Sequence, residues 1–210
     1  MESLLHLDLE NLIKTVGYFG VFGIVFAESG LLVGIFLPGD SLLFTAGFLA
    51  STGIFNIYFL VVGCFIAAVL GDNVGYAFGK KLGPRIFSKE DSFWFHKKHL
   101  QKAEAFYQKH GGKTMILARF TPIVRTFAPI VAGAARMNYS TFFFYNIIGG
   151  LLWAVGITSL GFLAGKSIPN VDKYILPILV VIVFVSLLPT FYHLLKERVV
   201  SSQKNPSKTN

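Results

Sequence analysis

Six ionisable side chains, Glu28, Asp40, Asp72, Arg119, Arg125 and Arg136, stand within or against long apolar segments, and this restricts the chain more than any other feature. A charge at the centre of a bilayer costs about 2.5–3.5 kcal/mol by insertion scales. A small protein can keep several of them only if they are compensated. The apolar setting is general: 53% of the 210 residues are hydrophobic and 14% are charged, more apolar surface than one soluble core of this size hides. The 22 Phe suit a lipid-facing surface, and the 21 Gly suit close helix packing and broken helices.

The other charges sort the chain into segments. Residues 80–113 hold nine of the 19 Lys/Arg and three of the 11 acids, and 196–210 hold four basic residues and one acid. The first 14 residues hold one Lys and three acids, and the loop 166–173 holds two Lys and one Asp. The net charge of +8 comes without a basic stripe of stacking aromatics on a soluble fold, so no nucleic-acid partner is expected. Placed beside apolar spans, the basic residues read as an orientation signal and an attraction for anionic lipid. Cys64 is the one cysteine, forms no internal disulfide and reads as a small core side chain. The N-terminal MESLLHLDLENL has an acidic lead and no basic n-region, so insertion is expected to use the first retained apolar segment.

Residues 54–79, 139–164 and 174–196 are each long enough to span about 30 Å of hydrocarbon. By the positive-inside rule 80–113 and the C-terminus are cytoplasmic, and 166–173 is external. Arg136 must also lie inside to start the outward span at 139, so 114–136 begins and ends on one face. It carries Pro122 and Pro129, and a re-entrant hairpin fits it, because broken backbone at membrane depth survives only where protein or a wet cavity satisfies it. Residues 28–52 repeat the pattern, broken at Pro38-Gly39. Phe36-Leu37-Pro38 and Phe120-Thr121-Pro122 are each followed by a charge, a glycine and a full span, the sequence pointer to an inverted repeat.

Between the halves, 89–110 has a capping box at Ser88–Asp91, an apolar face and many lysines, which describes an amphipathic helix on the cytoplasmic surface. Residues 12–27 either cross the membrane or lie along its interface, which leaves the side of the N-terminus open. The tail 201–210 is polar and expected to be disordered. The expected fold is an all-α membrane protein with one domain over 1–200. It combines an inverted repeat with two re-entrant helical hairpins, transmembrane helices and one cytoplasmic amphipathic helix.

Mutual pairing is the direct way to compensate the buried charges: Glu28 and Asp40 from the first hairpin region, Arg119 and Arg125 from the second. One reading makes these structural ion pairs. The other makes them working parts, since transport sites form at helix breaks and intramembrane charges mark ion or substrate paths. Arginine presents a planar, always-charged fork suited to phosphate, so Arg119 and Arg125, with Thr121, are candidate substrate-binding residues. Glu28 and Asp40 suit gating or coupling to protons or sodium. Pro38, Gly39, Pro122 and Pro129 mark the hairpin breaks. Asp72, Asn73 and Tyr76 either line the same cavity or form a polar packing cluster, and Arg136 reads as an interface anchor. The spacing of His96 and His99 on a Lys-rich stretch does not make a metal site. No nucleotide loop or membrane-protease motif is present, so neither an enzyme nor a cofactor is expected.

The runs ARFTPIVRTFAPIVAGAARMNYSTFFFYNIIGGLLWA (118–154), ESGLLVGIFLPGD (28–40) and GDNVGYAFGKKLG (71–83) resemble the DedA family, whose shared core is also called the VTT or SNARE-associated domain. The likeness covers roughly residues 15–165. It implies a bacterial inner-membrane protein with two opposed re-entrant hairpins. Bacterial members are implicated in returning undecaprenyl phosphate across the membrane and in phospholipid distribution, and eukaryotic relatives are lipid scramblases. The family's essential acidic pair falls on Glu28 and Asp40, and its arginine pair on Arg119 and Arg125. The expected function is therefore translocation of an anionic, phosphate-headed lipid between leaflets, driven by protons or sodium. The rival readings are an ion-coupled exporter of small cations or drugs, and a non-transporting membrane assembly factor. The sequence leaves the oligomeric state open.

Overall fold

The computed structural model describes residues 2–31, 39–86 and 111–168. Pro38, the expected amphipathic helix 89–110, the span 174–196 and the tail 201–210 lie outside the described residues. Within them every regular element is helical: α1 (Glu2–Gly30), α2 (Gly39–Ser51), α3 (Ile57–Ile86), α4 (Lys113–Arg119), α5 (Pro122–Ala134), α6 (Tyr139–Gly150) and α7 (Gly156–Ser167). One π-helical turn, Leu151–Val155, joins α6 to α7.

Among the described residues two stretches are long and apolar enough to cross a bilayer, the 27 residues Ile57–Gly83 and the 29 residues Tyr139–Ser167. At 1.5 Å per residue both exceed the roughly 30 Å of hydrocarbon. On α3 the outward side chains are Tyr58, Val62, Ile66, Leu70 and Val74, one every four residues, while Leu60, Cys64, Ala67 and Ala68 are buried. Large apolar groups outside and small ones inside is the arrangement of a helix solvated by lipid.

Glycine sets how closely the helices approach. A Cβ at Gly79 would stand 1.9 Å from the Ile130 carbonyl oxygen, and one at Gly133 2.0 Å from that of Tyr76, so α3 and α5 touch backbone to backbone. Gly47 of α2 and Gly161 of α7 do the same, 2.0 Å from the Thr158 oxygen and 2.1 Å from the Phe44 oxygen. Helix α2 thus lies against α7, and α5 against α3, each pair bringing together opposite halves of the sequence. Replacing Gly79 by Leu forces these backbones apart. Overpacking of this kind costs about 1–3 kcal/mol, and the expected result is a lower melting temperature in detergent; an unchanged melting temperature would contradict the close approach.

Helix boundaries differ in places from the sequence expectation. Helix α3 continues past 79 to Ile86, because Gly79 and Gly83 seat it on Ile130 and Ala134 of α5 and hold its last turns in place. Helix α1 reaches Gly30, so Glu28 stands on its final turn instead of opening a separate segment. The second break falls at Phe120 and Thr121, where Thr121 is extended (φ −114°, ψ 109°) and Pro122 starts α5, a position where its missing N–H costs nothing. Pro129 does not break the chain: α5 runs through it to Ala134. The lost hydrogen bond is confined to one carbonyl of the first turn, and the ring packs against Gly75 of α3.

The end of α5 is a Schellman motif, with the Met137 N–H donating to the Ala132 oxygen (3.0 Å) and the Arg136 N–H to the Gly133 oxygen (3.1 Å). The position that glycine usually takes holds Arg136, at φ 53°. A side chain there costs about 1 kcal/mol relative to glycine.

Candidate functional site

Five ionisable residues meet at mid-depth. Asp72 lies two residues past the middle of the Ile57–Gly83 stretch, and Trp153 stands at the middle of Tyr139–Ser167. Glu28 comes from the last turn of α1 and Asp40 from the first turn of α2, where the helix N-terminus favours a carboxylate. Arg119 closes α4 and Arg125 sits in the first turn of α5, its N–H donating to the Thr121 oxygen at 2.9 Å. The break at 120–121 is what lets two arginines six positions apart approach the same place from two helices.

Arg125 bridges two carboxylates. Its Nη1 donates to Asp40 Oδ1 at 2.7 Å and its Nη2 to Glu28 Oε1, and its guanidinium lies 4.5 Å from the centre of the Trp153 ring. Trp153 in turn donates from Nε1 to Asp40 Oδ1 at 2.6 Å. The indole therefore holds both members of the pair, one by its face and one by its edge.

Arg119 makes a separate network. Its Nη2 pairs with Asp72 Oδ2 at 3.0 Å and donates to the Ala68 oxygen at 3.2 Å. Its Nη1 donates to Asn146 Oδ1 (2.8 Å) and to the Asn146 main-chain oxygen (3.0 Å). Asn146 is fixed by its own donation to the Val69 oxygen at 3.1 Å. The expected acid–arginine meeting is thus found for Arg125, which takes both Glu28 and Asp40, whereas Arg119 is neutralised by Asp72.

Burial separates the members further. Glu28 is fully buried and Asp72, Arg119 and Arg125 are nearly so, but the Asp40 side chain is 51% exposed. Asp40 is the side of the cluster that opens outward. Gly39 does more than start a helix: a Cβ there would lie 1.4 Å from Glu28 Oε2, so the bare Cα is the seat of that carboxylate. Among the described residues Asp72 Oδ1 makes no hydrogen bond. With all groups charged, three carboxylates face two guanidinium groups, a formal balance of −1.

The other expected site residues lie nearby in different roles. Asn73 donates to the Val69 oxygen and accepts from the Tyr139 hydroxyl, a packing polar group outside the ion cluster. Tyr76 is buried, donates to the Met137 oxygen at 2.5 Å and stacks on Phe142. It lines a separate open cavity with Lys80, Arg136, Met137, Asn138 and Tyr139. Thr121 is exposed at the break and makes no capping hydrogen bond with its side chain. Pro122 stands at the start of α5.

Sequence reasoning missed Trp153 and Asn146. The signal was present: membrane tryptophans gather at interfaces, and a Trp at mid-span needs a partner for its N–H, as an Asn in an apolar helix needs partners for its amide. Trp153 lies inside the π-turn, an irregularity that often marks functional sites.

The VTT domain matches residues 37–163. The chain is 45% identical over 206 residues to Protein DedA of Escherichia coli strain K12, covering 94% of this chain and 93% of that protein. It is 45% identical over 172 residues to the uncharacterized membrane protein Rv0364 of Mycobacterium tuberculosis, covering 81% and 75%. It is also 37% identical over 157 residues to the inner membrane protein YqjA of Escherichia coli strain K12, covering 75% and 71%. No solved structure matches the chain.

Proposed function

This chain belongs to the DedA family of VTT-domain membrane proteins, and from that premise we propose that it translocates an anionic, phosphate-headed lipid between leaflets, coupled to protons or sodium. The observation that carries the reading is Arg125, a bidentate fork at membrane depth whose two partners are both carboxylates, one of them reachable from outside. A phosphate has the charge and the oxygen spacing to replace those carboxylates on the same fork. The acids then compete with the substrate for one cation.

The charge balance supports the coupling. A cluster at −1 reaches neutrality by taking up one proton or one monovalent cation, and the buried carboxylates Glu28 and Asp72 are the groups that would carry the proton. Protonation of Glu28 weakens its hold on Arg125 and frees the fork for phosphate; phosphate release and proton loss restore the resting pair. Asp40, half exposed at a depth where a lipid-facing charge is costly, marks a wet opening through which the head group arrives while the acyl chain stays in lipid. Arg119, already held by four acceptors, positions Asn146 and the neighbouring helix instead of taking substrate.

In this reading the two chain breaks are the tips of re-entrant hairpins related by an inverted repeat. The exchanged contacts of α2 with α7 and of α5 with α3 support that arrangement. The protein would lie in the bacterial inner membrane, with 80–113 and the C-terminus cytoplasmic.

The test is transfer of labelled undecaprenyl phosphate or phosphatidylglycerol across liposomes carrying the purified protein. Arg125→Lys keeps the charge but loses the fork, and transfer is expected to fall by about tenfold or more. Transfer at the parent rate in both Arg125→Lys and Arg125→Gln would sink the proposal. Cation export that survives replacement of both arginines but is lost in Glu28→Gln would point to the exporter instead. Cell complementation by variants at all four positions would point to an assembly factor.

A further inference from the structure

A second cationic site stands apart from the buried cluster. The open cavity lined by Tyr76, Lys80, Arg136, Met137, Asn138 and Tyr139 has a volume of about 550 Å³, within the roughly 300–1,000 Å³ of small-molecule sites. Lys80 and Arg136 are both exposed, and no carboxylate lines the cavity among the described residues. Lys80 lies eight residues along α3 from Asp72, which at 1.5 Å per residue is about 12 Å from the ion cluster. Asn138 Oδ1 is used in accepting from the Ser140 and Thr141 N–H groups, so what the cavity offers a ligand is mainly donors and positive charge.

The backbone gives an independent reason to look for a ligand here. Arg136 occupies the left-handed position of a Schellman motif, where glycine is favoured and an arginine is strained. Strain of this kind gathers at sites that bind. The backbone keeps an arginine at this corner against its own preference, and Arg136 and Lys80 line the same cavity.

We propose that this cavity is a docking subsite for the phosphate of an anionic lipid head group, occupied before the head group reaches Arg125. Basic pockets between transmembrane helices take phosphate head groups in this way. The inference rests on the phosphate-lipid reading for its purpose, while the binding itself requires no transfer. The same charges would also attract free inorganic phosphate, and the experiment separates the two sources.

The purified full chain in a neutral detergent is titrated with dihexanoyl phosphatidic acid, dihexanoyl phosphatidylcholine and inorganic phosphate, and the melting temperature is followed. Phosphatidic acid is expected to raise it, phosphatidylcholine not. In Arg136→Gly and Lys80→Gln the apparent affinity is expected to fall by roughly tenfold. Arg136→Gly is informative because it relieves the backbone strain: without ligand it should melt no lower than the parent, so lost binding cannot be put down to lost folding. An equal response in parent and variants overturns the subsite, and an equal response to inorganic phosphate overturns the lipid assignment. A cavity that binds in a protein that moves no lipid would fail the translocation reading and leave the subsite standing; a protein that moves lipid with an unresponsive cavity would do the reverse.

Discussion

Arg125→Ala is expected to abolish lipid transfer and also to destabilise the protein by about 3–5 kcal/mol, the usual cost of leaving a buried charge without its partner. For a chain of this size that is a drop of roughly 6–20 °C in melting temperature. The cost arises at Glu28, which is fully buried and has Arg125 as its cationic partner; Asp40 is half exposed and keeps the Trp153 N–H. Adding Glu28→Gln to Arg125→Ala should therefore recover most of the melting temperature, because the amide carries no charge to be buried. It should recover no transfer. A double variant as unstable as the single one would mean that the loss lies elsewhere, in the packing of the guanidinium on the Trp153 ring.

The second large effect is expected at Asp72. Asp72→Ala leaves Arg119 at mid-depth with only the neutral oxygens of Asn146 and Ala68, again at a cost of about 3–5 kcal/mol. Arg119→Met in the same chain removes the orphaned charge and fills a similar volume, and the double variant is expected to melt near the parent. Thermal unfolding in detergent, with the four proteins compared as a cycle, measures the coupling between the two residues. A coupling near zero would show that the Arg119–Asp72 pair does not bear on stability.

These two cases show how far the sequence could be read. Charges in apolar segments announce themselves because their cost does not depend on the fold, so Glu28, Asp40, Arg119 and Arg125 were legible as a group. The break at Phe120-Thr121 was legible through Pro122, whose fixed φ suits a helix start. Partner choice was not. Whether Arg119 meets Asp40 or Asp72 depends on how α3 and α4 come together, and that is decided by tight glycine contacts spread over several helices. Gly71 is one example: a Cβ there would stand 2.6 Å from the Phe26 oxygen of α1. Pro129 misled for the opposite reason, since its local effect as a breaker is outweighed by packing against Gly75. Gly39 was noticed for its backbone, whereas its larger role is the space it leaves for Glu28.

The exchanged packing of the two halves has a consequence for how the chain is made. Glu28 and Asp40 precede Arg125 by 97 and 85 residues. At 5–20 residues per second, synthesis takes roughly 5–20 s to cover that distance. During that interval the two acids have no arginine partner, and α2 has no α7 to lie against. The nascent first half therefore cannot settle at its final depth by itself. It must wait in the insertion machinery, at the water interface or with its acids protonated until the second half arrives, which makes the ribosome's pace part of the route by which this protein reaches its fold.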